Sequence, residues 1–261
     1  MVESSAASKA PSQRVLVAVD AASASDLAVE AAVGLAAALH EACLEGLFVE
    51  DANLVRLGAL PFASEVSALT GASRSLAAAE IEYVLRVEAG RLERVFAQAA
   101  QRAQLPWSFA ITRGQLLREA SARAADFTVV APTARASPAL AMASPKPRRR
   151  VAALLDADAV AWRTLAAAAQ LAKATAAELR VLIAPAGPAN QEMLSRARSV
   201  LADQRLPASI VTLASGANAL TTELRSRGVD ALVHPAPQDN ASARTLAALL
   251  AELPCLLVIV R

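Results

Sequence analysis

Two short apolar runs, each entered through an arginine and closed by an aspartate, set the pattern of the chain: Arg14-Val-Leu-Val-Ala-Val-Asp20 and Arg150-Val-Ala-Ala-Leu-Leu-Asp156. Runs this short and this apolar predict strands buried on both faces. Behind the first, residues 20–25 predict a loop in which Ser23 or Ser25 can cap a helix. Residues 26–40 then predict a helix, with Asp26 and Glu30 in its first turns where negative charge is favoured. Gly46-Leu-Phe-Val-Glu50 predicts a second strand. Strand, helix and strand in this order make a parallel βαβ unit with a right-handed crossover.

Residues 80–104 carry a strong helical pattern. Val84, Val87, Leu92, Val95, Phe96 and Ala99 are expected to form its apolar stripe, opposite Arg86, Glu88, Arg91, Glu93 and Arg94. Residues 107–112 predict a third strand, Gly114 a break, 116–125 a short helix and 127–131 a fourth strand before Pro132. Residues 51–79 exceed a minimal unit. Leu54, Leu57, Leu60, Phe62, Val66 and Leu69 are interrupted by Asn53, Gly58, Pro61 and Gly71. This predicts an insertion with one or two short helices, packed on its own domain or on a partner.

The second half repeats the order. Strands are predicted at 151–155, 179–184, 208–214 and 231–234, with helices at 162–177, 191–204 and 219–227. It then adds a helix at 242–252 and a fifth strand at 256–260 that the first half lacks. Landmarks support a duplication. Gly114 to Asp126 is 12 positions and Gly216 to Asp230 is 14. Asp20 to Gly114 is 94 positions against 60 from Asp156 to Gly216, an excess about the size of the 51–79 insertion. The expected fold class is α/β: two tandem doubly wound, mostly parallel five-stranded-type sheets with helices on both faces. The expected division is a disordered tail at 1–13, a first domain at 14–134, a Pro/Arg-rich linker at 135–150 and a second domain at 151–261. The linker's basic cluster reads as a solvated hinge or as a phosphate or nucleic-acid contact.

Composition narrows the function classes. Net charge is only +2 and aromatics are 3% of 261 residues, so neither a strong field nor stacking platforms for bases are implied, and no nucleic-acid partner is expected. Hydrophobic residues make up 55%, yet no uncharged stretch has the continuous apolarity over about 18 residues that a membrane span needs. Residues 1–13 lack the apolar core of a signal peptide. Cys43 and Cys255 lie among apolar neighbours and read as small core thiols. A reduced, cytoplasmic compartment is expected, with no membrane.

The ordered set now resembles the universal stress protein family. It comprises the first strand ending in Asp20, Leu47-Phe-Val-Glu-Asp51, the third strand followed by Gly114, the Asp-x-x-Val-Val at 126–130, and the closing Ala-Glu-Leu-Pro-Cys-Leu-Leu-Val-Ile-Val at 251–260. The resemblance covers nearly all of residues 14–261 as two tandem units. It implies adenine-nucleotide binding at the carboxyl ends of the strands. Asp20, Val49 and Gly114 match lining positions in the first half, and Asp156 and Gly216 match in the second. Asp20 can equally cap its own loop. Nucleotide-binding members also carry a glycine-rich loop after the fourth strand, because amides must approach phosphate closely. The corresponding segments, 131–138 and 235–242, contain prolines and no glycine. ATP is therefore expected to be absent, with ATP or AMP in the first domain as the alternative and Arg135 or Arg244 as substitute phosphate contacts.

No other chemistry stands out. His40 and His234 are isolated, and zinc-ligand spacing, a nucleophile elbow and a Walker A loop are all missing. The expected function is a stress-response protein, not an enzyme, that acts through partner binding and dimerisation. The alternative is an adenine-nucleotide sensor, and a nucleotide-hydrolysing enzyme ranks last. In the family the fifth strand commonly pairs across a dimer. Leu256, Val258 and Val260 are accordingly expected to pair with their counterparts in a second chain.

Overall fold

A computed structural model describes residues 13–131 and 149–261, apart from 24, 40, 61, 68, 76, 157, 158, 185–188, 205, 215–217 and 254. The expected tail up to residue 12, most of the linker, His40, Arg135 and Gly216 lie outside the described residues. The first unit runs β1 (Gln13–Val19), α1 (Ser25–Ala37), β2 (Ala42–Asp51), α2 (Ala52–Gly58), β3 (Ser64–Val66), β4 (Ser73–Ser75), α3 (Ala78–Arg102), β5 (Trp107–Gly114), α4 (Leu116–Ala122) and β6 (Phe127–Val130). The second runs β7 (Arg150–Leu155), α5 (Ala161–Ala174), β8 (Glu178–Ile183), α6 (Ala189–Gln204), β9 (Ala208–Thr212), α7 (Ala219–Arg227), β10 (Ala231–Pro235), α8 (Asn240–Glu252) and β11 (Leu256–Val260).

The two units do not keep separate sheets. Nine strands form one sheet in the order β5-β2-β1-β6-β11-β10-β7-β8-β9. Every neighbouring pair in it is parallel except β6 and β11, which run antiparallel with Val258 opposite Val129. This corrects the expectation for Leu256, Val258 and Val260. Their strand is no exposed edge: it is paired to β10 on one side and to β6 on the other, and all five of its residues are buried. Among the described residues the first unit has no fifth strand of its own, and β11 fills that place.

The internal repeat has a hydrogen-bonding basis. The Asp126 carboxylate accepts from the Arg14 amide at 2.9 Å, and Asp230 accepts from the Arg150 amide at 2.7 Å. Each aspartate thus ties the start of its unit's first strand to the start of its fourth. Their carbonyls hold β11 at both ends: Leu256 N donates to Asp230 O at 2.8 Å and Arg261 N to Asp126 O at 3.0 Å. The turn after the first helix of each unit repeats as well, with φ of 54° at Glu41 and 50° at Ala176.

Alternation along the strands divides the core. Val15, Val17, Val129, Leu256, Val258 and Val260 face the side covered by α1, α3, α5 and α6. Val130, Leu257 and Ile259 face α7 and α8, and Leu16 and Ala18 face α4. Alanine lets α1 and α5 pack closely across the seam. A Cβ added at Gly34 would lie 2.9 Å from that of Ala174. Arg149–Glu30 at 3.4 Å and Arg163–Asp126 at 3.2 Å add ion pairs between the units.

Two local expectations are corrected. The 51–79 insertion holds a short helix, α2, within the one or two expected, and adds an antiparallel hairpin, β3–β4, that was not expected. In α3 the buried stripe is Ile81, Leu85, Ala89, Leu92, Phe96 and Ala100, while Val84 and Val87 stand on the outer face. The apolar residues of this helix occupy two stripes, and only contact with the sheet tells which one turns inward.

Two stability outcomes follow. Leu257→Ala opens a cavity on the α8 side of β11 and costs about 2–5 kcal/mol. Because β11 belongs to both units, urea unfolding of this variant remains a single transition at lower midpoint; early loss of one unit alone would contradict the shared-strand arrangement. Ala176→Gly removes the penalty of a side chain in the left-handed region, about 1 kcal/mol, and raises Tm in a thermal scan.

Candidate functional site

Antiparallel units put the two carboxyl edges of the strands at opposite ends of the sheet. At the first unit's edge, register brings the expected residues together. Val19 lies opposite Phe48, so Asp20 comes level with Val49; Val49 lies opposite Thr112, and Asp51 opposite Gly114. The side chains are otherwise engaged. The Asp20 carboxylate accepts from Ala22 N at 3.0 Å and Ser23 Oγ at 2.6 Å, which closes a turn on itself. Val49 is buried with Leu47, Ala120 and Ala125 under α4. Above Gly114 sits the Glu119 carboxylate, 2.4 Å from where a Cβ would be. Arg113 bridges Glu50 at 3.0 Å and Glu82 at 3.5 Å, and Asp51 caps α2 through Asn53 N at 2.8 Å. The rim carries Asp20, Glu50, Asp51, Glu82 and Glu119, with Arg113 held between Glu50 and Glu82.

At the second unit's edge Asp156 is exposed at the end of β7. Pro235, the last residue of β10, and Pro237 just beyond it offer no amide donors. The amino terminus of α8, where an anion would be favoured, is taken by the chain's own carboxylate: Asp239 accepts from Ser242 N at 2.7 Å. The amide and hydroxyl of Ser242 hold its acidity above that of an ordinary aspartic acid, so its pKa is lowered. Arg244 turns back along α8, its Nε donating to Asn240 O at 3.2 Å. His234 is half-buried, with Nδ1 against Pro235 O. Among the described residues no group of three or more His, Cys, Asp or Glu could hold a metal ion.

No family profile and no curated protein matches the chain. Solved structures do. A universal stress protein from Archaeoglobus fulgidus DSM 4304 superposes with a TM-score of 0.51 at 10% identity, over 95% of this chain and 98% of that one. The chain has the universal stress protein fold. A universal stress protein from Lactobacillus plantarum matches 44% of this chain and 99% of its own at 14% identity and a TM-score of 0.37. Another, in complex with cAMP, matches 43% of this chain and 96% of its own at 19% identity and a TM-score of 0.37.

In this version of the universal stress protein fold, open space lies over the seam between the units, lined in part by the 235–242 segment and Arg244. Adjoining cavities of about 550 and 660 Å³ sit between α4 and α8, with Ser121, Pro237, Asn240, Ala243 and Ile259 lining both. None of Asp20, Val49, Gly114 and Asp156 lines either cavity. Only the β6–β11 pairing brings α4 and α8 side by side, so no local pattern could announce this space. Both cysteines are free thiols, and burial pushes Cys255 up to about 12. Among the described residues no helix is long and apolar enough to cross a membrane.

The cap on α8 has a pH signature. An aspartate with a lowered pKa stabilises the fold above its unfolded value of about 3.9, and that stabilisation is lost as pH falls through the lower folded value. Asp239→Ala therefore lowers Tm at pH 7, and the gap to wild type closes in scans run progressively below about pH 4.

Proposed function

We propose that this chain is a universal-stress-protein-like stress-response protein that acts by binding partners and by dimerising, without turning over ATP. The observation that carries the reading is Asp239. It occupies the helix terminus after the fourth strand of the second unit, where a phosphate would need free amides, and prolines replace the glycines of a phosphate cradle. The acidic rim around Asp20 supports the same reading in the first unit. Pairing of β11 within the chain means that dimerisation must use another surface. A second reading, an adenine-nucleotide sensor in the first domain, draws on the register that gathers Asp20, Val49 and Gly114 at one edge.

Calorimetric titration of the purified chain with ATP, AMP and cAMP separates the two. No heat of binding and no nucleotide carried through native mass spectrometry is the expected result. Binding that Asp20→Ala abolishes would replace the first reading with the sensor.

A further inference from the structure

The space over the seam is walled by both units, and its side chains are sorted by chemistry. One of its two adjoining parts, of about 550 Å³, holds Thr128, Gln238 and Asp239. The other, of about 660 Å³, holds Leu117, Leu246 and Ala247 together with Arg118 and Arg244. Ser121 of α4, Asn240 and Ala243 of α8 and Ile259 of β11 line both. Each volume lies in the range of small-molecule sites, about 300–1,000 Å³. Thr128 is the residue that calls for a ligand. It stands on β6 opposite Ile259 of β11 and is 3% exposed. Its neighbours Phe127 and Val129 face the α1 side. Strand alternation therefore turns Thr128 towards α4 and α8, where it lines the cavity. Among the described residues its hydroxyl has no hydrogen-bond partner. A buried hydroxyl left unpaired is costly, and a valine at this strand position would carry no such cost.

The available cations stand in the other part. Arg118 on α4 and Arg244 on α8 line it from the two helices that flank the groove. Among the described residues neither has a carboxylate partner, and Arg244 commits only Nε, to Asn240 O at 3.2 Å. Arg261, the cation of the first part, is engaged by the carbonyls of Arg123 and Ser121. The Asp239 carboxylate in that part repels an anion. A negative group is therefore favoured beside Arg118 and Arg244 and disfavoured beside Thr128.

We propose that the seam cavity binds a small amphipathic carboxylate that carries a hydroxyl or carbonyl group at its far end. The carboxylate is held by the Arg118 and Arg244 guanidiniums through charge-assisted hydrogen bonds. The apolar body rests on Ile259, Ala243, Leu246 and Ala247. The far polar group pairs with the Thr128 hydroxyl. A single negative charge suits two guanidiniums with Asp239 in the adjoining part, whereas a polyphosphate would bring further charge towards that carboxylate. The site takes α4 and β6 from the first unit and α8 and β11 from the second, so neither unit contains it alone. It goes beyond the partner-binding reading and shares no residue with the Asp20 edge.

Calorimetric titration of the full chain with 8-hydroxyoctanoate tests it, with octanoate and 1,8-octanediol as probes that each lack one feature. 8-Hydroxyoctanoate is expected to bind most tightly. Octanoate should bind about fivefold more weakly for the lost hydrogen bond, and the diol at least about tenfold more weakly for the lost charge. Arg118→Gln and Arg244→Gln should each weaken both carboxylates about tenfold and leave the diol unchanged. Thr128→Val should bind the two carboxylates equally and raise Tm, because an unpaired hydroxyl leaves the interior. Ala247→Trp, at an exposed position of α8, fills the cavity and should abolish binding of all three probes with an unchanged circular-dichroism spectrum. No binding of 8-hydroxyoctanoate, equal binding of the diol, or binding that survives both arginine substitutions overturns the proposal. Asp20→Ala leaves these affinities unchanged, so failure of this site and failure of the no-ATP reading are told apart.

Discussion

The structure depends on the sharing of β11. This one strand, buried on both faces and hydrogen-bonded along both edges, is the fifth strand of the second unit and the missing fifth strand of the first. An apolar strand with an unpaired edge is a hazard in water, and β6 would be such an edge without β11. The pairing also fixes the relative orientation of the units. Because β11 is parallel to β10 and antiparallel to β6, the second sheet runs opposite to the first, and the two carboxyl edges point apart.

The arrangement has consequences for packing and for chemistry. On one face, alanine and glycine let α1 and α5 approach across the seam, so the units share a core there. On the other, α8 covers β10 and β11 while α4 stays with the first unit, and a groove opens between them. At both carboxyl edges, the groups that would meet a nucleotide are bound within the chain: Asp20 by Ala22 and Ser23, and the α8 terminus by Asp239. An anion-binding edge needs amides left free, and self-capping consumes them.

Apolar surface also stands outside the strand edges. α3 carries exposed apolar side chains on the face away from its buried stripe. Val84 and Val87 illustrate the point, since helical spacing places them on an apolar stripe and burial shows that another stripe serves the core. A helix with two apolar stripes has one to spare for something else.

By itself the sequence determined the order of strands and helices outside the 51–79 insertion, the duplication, and the equivalence of Asp126 with Asp230, because these rest on local periodicity and on short-range turn chemistry. It also showed the prolines and missing glycines after β10, since a loop that must lie close to phosphate has a compositional requirement. Only the tertiary structure decided that the units join in one sheet, that Leu256–Val260 pairs inward, that Val49 belongs to the core under α4, and which face of α3 meets water. Each of those depends on which elements become neighbours. Strand alternation and helix periodicity say that a face is apolar, and only the neighbouring element determines what covers it.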